Sequence, residues 1–166
     1  MTPMKFIRRN LLLAFCLLAL GAGVFANGTL SGRPVSDGGM SYSISDKLLQ
    51  AFKQAFPDAQ QVKWAEMEDK YMVNFRQGEV LTKIEYDKEG NFLSSIRYYS
   101  EKNLPVNVLV RLQKKYADKK VFGVTEVTSD NVVEYYIKLE DPNNWITVKS
   151  NADGNMQVVE KYKKAS

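Results

Sequence analysis

Apolar residues recur with a helical period in two separate stretches of the chain. In residues 46–56 they fall at positions i, i+1, i+4, i+7 and i+8, the spacing of a helix with one buried face. These positions are Leu48, Leu49, Phe52, Ala55 and Phe56. Ser45 is a common residue at a helix start and Pro57 ends a helix, so the pattern predicts a first helix over 46–56.

The second stretch runs from Pro105 to about Tyr116. Its apolar positions are Val108, Leu109, Leu112 and Tyr116. Pro105 suits the first helical position because its missing N–H would have no partner there. The spacing predicts a second helix over 105–116, and each predicted helix has one apolar stripe that must pack against another element.

Apolar and polar residues alternate in four short runs after each predicted helix. Alternation places every second side chain on the same side of a strand, as for Tyr71, Val73 and Phe75. The predicted strands are 61–67, 71–76, 80–86 and 92–99 after the first helix, and 121–127, 133–139, 145–150 and 156–162 after the second.

Two connections between these strands have the same turn chemistry. Segment 87–90 begins with Asp87 and ends with Gly90, and segment 151–154 begins with Asn151 and ends with Gly154. Asp or Asn followed three residues later by Gly is typical of a type I turn that ends in a left-handed glycine. Segment 151–155, with Asn151, Asp153 and Asn155, also has a faint similarity to a calcium-binding loop. Such a loop needs more acidic ligands and a Glu at its end, so the turn is favoured.

Residues 48–98 recur as residues 108–162. An offset of 60 matches Trp64 with Val124, and an offset of 64 matches Tyr71 with Tyr135. The change of offset corresponds to one insertion of four residues in the second copy, after the position that matches Glu66. A repeat of this length is one supersecondary unit used twice.

Each unit consists of a predicted helix followed by an antiparallel four-strand meander, whose apolar face is wider than one helix can cover. The sequence therefore predicts an α+β fold: a tandem duplication of this unit, with about eight strands and two helices packed on one face. The predicted single domain is 44–166, made of the repeats 45–101 and 104–163.

The first 26 residues have the pattern of a secretory signal peptide that is cleaved after Ala26. Their apolar run is shorter than the roughly 20 residues that a membrane-spanning helix needs, which argues against an anchor. Cys16 lies inside that run, which argues against a lipoprotein. Residues 27–43, rich in Gly and Ser, are predicted to be a flexible linker. The predicted location is periplasmic or secreted, without a stable membrane anchor after cleavage.

Composition narrows the possible chemistry. The chain has 23 Lys and Arg against 19 Asp and Glu, and Lys5, Arg8 and Arg9 belong to the predicted signal peptide. The remaining near balance argues against a nucleic-acid partner. Histidine is absent and the single cysteine is Cys16, so common nucleophile–base pairs and most zinc sites cannot form. No catalytic residue, metal or cofactor is predicted.

Carboxylates are the main remaining candidates for catalysis. Glu66 and Glu126 match each other in the two copies and could form a carboxylate pair. Both are predicted near strand ends, where solvated surface groups are the more common case, so the sequence favours that interpretation. Trp64 is predicted to be a core aromatic.

Five short motifs match the pattern of a known family. They are Phe56-Pro57-Asp58-Ala59, Val62-Lys63-Trp64, Tyr71-x-Val73-x-Phe75, Tyr86-Asp87-Lys88-Glu89-Gly90 and Leu104-Pro105. On these motifs the chain resembles the PepSY-like, beta-lactamase-inhibitor-like family of small exported bacterial proteins, over about 45–162. The resemblance implies the tandem helix-plus-four-strand fold and a periplasmic or secreted location. Its motifs are turn and core positions, and they do not imply a particular activity.

Alternation along the strands divides the sheet residues between two faces. Residues predicted to face the helices are Tyr71, Val73, Phe75, Ile84, Ile96, Ile137, Leu139 and Val148. Residues predicted to lie on the opposite, open face are Met72, Asn74, Arg76, Leu81, Lys83, Leu93, Arg97, Tyr99, Tyr136, Lys138, Trp145, Thr147 and Val159. Aromatic, Met and Arg side chains among polar ones are enriched at the centres of protein interfaces.

The sequence therefore predicts a non-catalytic binding module in the envelope that docks a protein or peptide on its open face. The predicted partner-binding residues are Met72, Arg76, Leu81, Arg97, Tyr99, Tyr136, Lys138 and Trp145. The alternative is a structural or accessory envelope protein without a dedicated partner site, since aromatics on strands also stabilise cross-strand pairs. The oligomeric state is left open.

Overall fold

The computed structural model describes residues 44–165, so the predicted signal peptide and linker lie outside the described residues. Helix α1 is Asp46–Ala55, and α2 is Val106–Lys115. The strands after α1 are β1 (Gln60–Glu66), β2 (Lys70–Gln77), β3 (Val80–Asp87) and β4 (Phe92–Tyr99); those after α2 are β5 (Lys120–Ser129), β6 (Val132–Glu140), β7 (Asn144–Asn151) and β8 (Met156–Lys163). Every predicted element is confirmed, with each end within two residues of the prediction.

The eight strands form one antiparallel sheet in sequence order, from β1 to β8. The two copies of the repeat join where β4 pairs with β5. Both helices pack on the same face of this sheet, because α1 buries Phe52 among residues of β2 and β3 while α2 buries Leu112 among residues of β5 to β7. The predicted α+β tandem meander is thus the observed fold.

Helix α1 is fixed at its start by a side-chain cap and along its length by aromatic packing. The Ser45 hydroxyl accepts a hydrogen bond from the Leu48 amide at 3.2 Å, which satisfies one of the free N–H groups of the first turn. The Phe52 ring contacts Trp64 edge-on at 5.3 Å and Phe75 at 5.1 Å between ring centroids. Trp64 is a core aromatic, as predicted.

Helix α2 packs the second half of the core. Val108 and Leu112 are buried against Ile137, Leu139 and Val148, none of which exposes any surface to solvent. Burying an aliphatic side chain of this size contributes roughly 1.5–3 kcal/mol, so this cluster supplies much of the stability. No helix among residues 44–165 has the length and apolar character needed to cross a membrane.

The two predicted turns have the expected hydrogen bonds. The Gly90 amide donates to the Asp87 carbonyl at 3.1 Å, and the Gly154 amide donates to the Asn151 carbonyl at 3.0 Å. Both glycines have positive φ, +88° and +82°, which favours glycine over any residue with a side chain. Segment 151–154 is therefore a hairpin turn, which is the interpretation that the sequence favoured.

Candidate functional site

The sheet face opposite the helices is not covered by any described part of the chain, and we call it the open face. The cross-strand register sets its residues in rows that run across the strands. The central row, in order from β2 to β7, is Arg76, Leu81, Tyr98, Thr125, Tyr136 and Lys149. Because β-strands in a sheet are held by their whole hydrogen-bond ladder, this row is a rigid platform.

An aromatic cluster, formed by Phe122, Trp145 and Tyr162, lies at one end of the open face. The Phe122 ring meets the Trp145 ring edge-on at 5.1 Å, and Tyr162 pairs with Trp145 across β7 and β8. Phe122 is 66% exposed and Tyr162 is 58% exposed. A cluster of large exposed aromatic side chains, unlike a single one, is typical of an interaction surface.

Two lysines lie over the face of the central ring of this cluster. The Nζ atoms of Lys138 and Lys164 are 5.3 Å and 5.0 Å from the Trp145 ring centroid. Cation–π attraction holds both ammonium groups near the ring, on the order of 0.5–1 kcal/mol each at an exposed site. The cluster therefore combines apolar surface with positive charge.

Six of the predicted partner-binding residues lie on the open face. They are Met72, Arg76, Leu81, Tyr136, Lys138 and Trp145. Tyr136 is held in place by its neighbours: its hydroxyl donates to Glu134 at 3.1 Å, and Lys149, which pairs with Glu134 at 2.6 Å, lies over its ring. Burial, followed by the Glu134 hydrogen bond, raises the pKa of Tyr136, so its hydroxyl stays a donor to a higher pH than that of an exposed tyrosine.

The prediction for Arg97 and Tyr99 is wrong, because both face the helices. Tyr99 is buried in the core beside Leu104 and Val108, and Arg97 pairs with the buried Thr82. A β-bulge causes the difference, because between Glu85 and Tyr86 of β3 the partner strand contains one extra residue, Leu93. An extra residue exchanges the two faces of the strand beyond it, so Ile96 and Tyr98 occupy the open face instead.

The arrangement around Glu126 also differs from the prediction of a solvated carboxylate at a strand end. Glu126 lies within β5, and its carboxylate accepts from Arg97 Nη1 at 3.0 Å and from the Tyr99 hydroxyl at 2.5 Å. Burial, and then the Glu126 carboxylate, raise the pKa of Tyr99 far above its ordinary value. Its counterpart Glu66 is bonded to Lys88 at 2.8 Å. Glu126 thus pairs with Arg97 of the neighbouring strand β4, and Glu66 pairs with Lys88 after β3. Each carboxylate has its own cation and connects two parts of the fold.

Sequence reasoning missed Phe122. Its position corresponds to a second bulge, between Val121 and Gly123 in the pairing of β5 with β6, so alternation does not assign it to a face. The available signal was the neighbouring Gly123, since a glycine inside a strand often marks a bulge. Two of the predicted open-face residues, Leu93 and Val159, are themselves the extra residues of bulges.

The open face thus consists of aromatic and aliphatic side chains, ion pairs and free cations. Within residues 44–165, no group of three or more His, Cys, Asp or Glu residues is placed to hold a metal ion. The chemistry that such a face offers is contact with another molecule: apolar surface, ring faces and hydrogen-bond donors.

The chain has no match among protein-family models and none among curated proteins. It is similar to solved structures, among them a BLIP-like protein from Bacteroides fragilis (TM-score 0.52, 20% identity, 72% of this chain and 85% of that chain). A DUF2874 family protein from Bacteroides ovatus gives a TM-score of 0.51 at 19% identity, over 71% of this chain and 86% of that one.

A third similar structure, from Bacteroides eggerthii, is described as a proposed periplasmic protein; its TM-score is 0.51 at 16% identity, over 72% of this chain and 88% of that one. These similarities show a BLIP-like fold. The PepSY-like part of the resemblance stays a prediction.

Proposed function

We propose that this chain is an exported, non-catalytic binding module that docks a protein or peptide on its open face. The observation that supports this most is the aromatic cluster of Phe122, Trp145 and Tyr162, whose Phe122 and Tyr162 rings are exposed on the same face of the sheet as Tyr136 and Tyr98. Tryptophan and tyrosine are the residues most enriched among those that dominate binding energy at interfaces.

The size of the surface fits this role. Each aromatic side chain can bury about 150–250 Å², so the five aromatic residues supply several hundred Å². A standard interface buries about 800 Å² on each partner. Leu81 and the surrounding lysine stems add further apolar area to that of the rings.

Two further points support a binding role over catalysis. The sequence contains no histidine, and the carboxylates Glu85, Glu134 and Glu140 of the open face pair with lysines rather than with a nucleophile. The fold is shared with a BLIP-like protein, and in this chain the sheet face rather than a pocket carries the exposed aromatic side chains.

The proposal includes export, with residues 1–26 removed as a signal peptide. The basic start and short apolar run of this segment support it, as does the similarity to a proposed periplasmic protein. We expect the mature chain to begin at Asn27, which N-terminal sequencing of protein from a fractionated envelope would show. Protein that retains Met1, or that is found in the cytoplasm, would contradict export.

A matched pair of double variants tests the binding role. The variant Phe122→Ala with Trp145→Ala removes two rings from the open face, whereas Val106→Ala with Val110→Ala removes exposed apolar groups from α2. Losing hot-spot aromatics costs at least about 2 kcal/mol, or roughly thirtyfold in affinity. We expect the first variant to lose a cross-linked envelope partner and the second to retain it, with unchanged circular dichroism in both.

Equal recovery of that partner by both variants would refute the binding face. Absence of any specific cross-linked partner would favour the alternative, a structural or accessory envelope protein.

A further inference from the structure

The charges of the open face are unevenly neutralised. Glu85 lies 2.9 Å from Lys70 Nζ and 2.7 Å from Lys83 Nζ, so one carboxylate is shared by two lysines. Glu134 and Glu140 each pair with a single lysine, Lys149 and Lys164, at 2.6 Å. These three carboxylates of the open face are therefore all paired with lysines, whereas some basic side chains of the face have no carboxylate partner.

Four cations of the open face have no ion-pair partner among the described residues: Lys63, Arg76, Lys120 and Lys138. Of these, Arg76 and Lys138 lie at or next to the two ends of the stretch of the central row from β2 to β6. Arg76 is exposed at one end of the central row, and Lys138 lies on β6 with its ammonium over the Trp145 ring. In register, Lys138 is followed by Thr147 and then by Glu160, whose carboxylate accepts from the Thr147 hydroxyl at 3.1 Å. Glu160 is thus two strands, or about 10 Å, from the strand of Lys138.

The surface between Arg76 and Lys138 is apolar except for Thr125. From Arg76 the central row continues through Leu81, Tyr98 and Thr125 to Tyr136, which is two residues from Lys138 on the same side of β6. From β2 to β6 there are four strand spacings of about 4.8 Å, so the two cations are separated by about 19 Å. The result is an apolar strip with an unneutralised positive group at each end.

We propose that the partner docked on the open face presents an acidic polypeptide segment, with apolar side chains over Leu81, Tyr98 and Tyr136 and a carboxylate at each end, near Arg76 and Lys138. This inference rests on the proposed function and names the chemistry of its partner. An extended segment covers about 19 Å with roughly six residues. The guanidinium of Arg76 can bind a carboxylate through two parallel hydrogen bonds, and complementary charge speeds association.

A random twelve-residue peptide library displayed on phage and selected against the exported chain, residues 27–166, tests the proposal. We expect the selected peptides to contain aromatic or aliphatic residues with Asp or Glu on both sides. Arg76→Gln with Lys138→Gln should weaken their binding about tenfold, since each exposed pair contributes roughly twofold to fivefold. The control Lys53→Gln with Lys114→Gln makes the same change in net charge on the helices and should leave binding unchanged.

The outcomes separate this inference from the proposed function. One contrary result is that the selected peptides lack acidic residues, and another is that they bind the Arg76 and Lys138 double variant as well as the wild type. Either result overturns the proposal of an acidic partner segment and leaves the proposed binding face intact. Selection that is equally successful against the Phe122 and Trp145 double variant, or that yields no peptide at all, overturns the binding face and the acidic segment with it.

Discussion

Replacing Tyr99 with Phe should destabilise the protein, while the same change at the adjacent Tyr98 should not. Tyr99 is buried on the helix side of the sheet and donates a hydrogen bond to the Glu126 carboxylate at 2.5 Å. Tyr98 is 44% exposed on the open face, and its hydroxyl has no hydrogen-bond partner within the part of the chain that the structure describes. The two substitutions delete the same hydroxyl from neighbouring residues on opposite faces.

The expected magnitude follows from the charge of the acceptor. A hydrogen bond to a charged group contributes roughly 1.5–3 kcal/mol, about twice that of a neutral one. In Tyr99→Phe the Glu126 carboxylate keeps Arg97 and loses its second donor inside the sheet. We expect a loss of about 2 kcal/mol in the free energy of unfolding. For Tyr98→Phe the change should stay within about 0.5 kcal/mol.

Urea unfolding of residues 44–166, followed by circular dichroism, measures both changes. With an m-value of about 2 kcal/mol per molar urea, the Tyr99 variant should unfold at about 1 M lower urea than the wild type. Equal midpoints for the two variants, or a larger shift for the Tyr98 variant, would refute the placement of these residues and the role of the bulge at Leu93.

The same pair of proteins should respond differently to alkaline pH. Burial and the Glu126 carboxylate raise the pKa of the Tyr99 phenol, whereas in the unfolded chain it ionises near its usual value of 10.0. Stabilisation by Tyr99 is therefore complete below about pH 10 and is lost as the pH rises above that value. The difference in unfolding free energy between wild type and Tyr99→Phe should narrow above pH 10; a constant difference would contradict the raised pKa.

Two further predictions concern a turn and an acid. Gly154→Ala should lower the free energy of unfolding by about 1–3 kcal/mol, because φ is +82° and an added Cβ would lie 2.7 Å from Arg111 Cδ. The control Gly123→Ala, which has open space around it, should change that free energy by less than about 0.5 kcal/mol. Equal melting curves for the two variants would contradict the close approach at Gly154. The pKa of Glu85 lies below its ordinary value, because burial, which alone would raise it, is outweighed by hydrogen bonds from Lys83 and Lys70. Glu85→Gln should therefore be less stable than wild type by under about 1 kcal/mol at pH 7, with the difference vanishing as the pH falls below that lowered pKa; a difference that persists there would argue against the ion pairs.

The sequence predicted the elements of the fold well, because their signals are local. The stripe that contains Leu48 and Phe52, the alternation of Tyr71 with Val73, and the turn that ends at Gly90 each depend on residues a few positions apart. The internal repeat gave every such signal twice. Both copies share these core positions, so agreement between the copies identified the buried side of the sheet.

The candidate site was less predictable because bulges are set by pairing between strands. One extra residue at Leu93 moved Arg97 and Tyr99 to the helix side, and another at Phe122 brought that ring beside Trp145. The partnership of Arg97 with Glu126 depends on the register of β4 against β5, across the junction of the two copies. Nothing within either strand alone specifies that register.

The insertion that distinguishes the two copies has a consequence for assembly. Strand β5 pairs with β4 along Val124–Ser129. With the offset of 60, these residues correspond to positions 64–69 of the first copy. Strand β1 ends at Glu66, only two residues beyond Trp64. If β8 of one molecule paired with β1 of another in the register of β4 with β5, the hydrogen-bond ladder between the two molecules would be about half as long as the ladder between β4 and β5. The shorter first hairpin therefore leaves such an intermolecular contact with about half of the ladder that the longer second hairpin forms with β4 within one molecule.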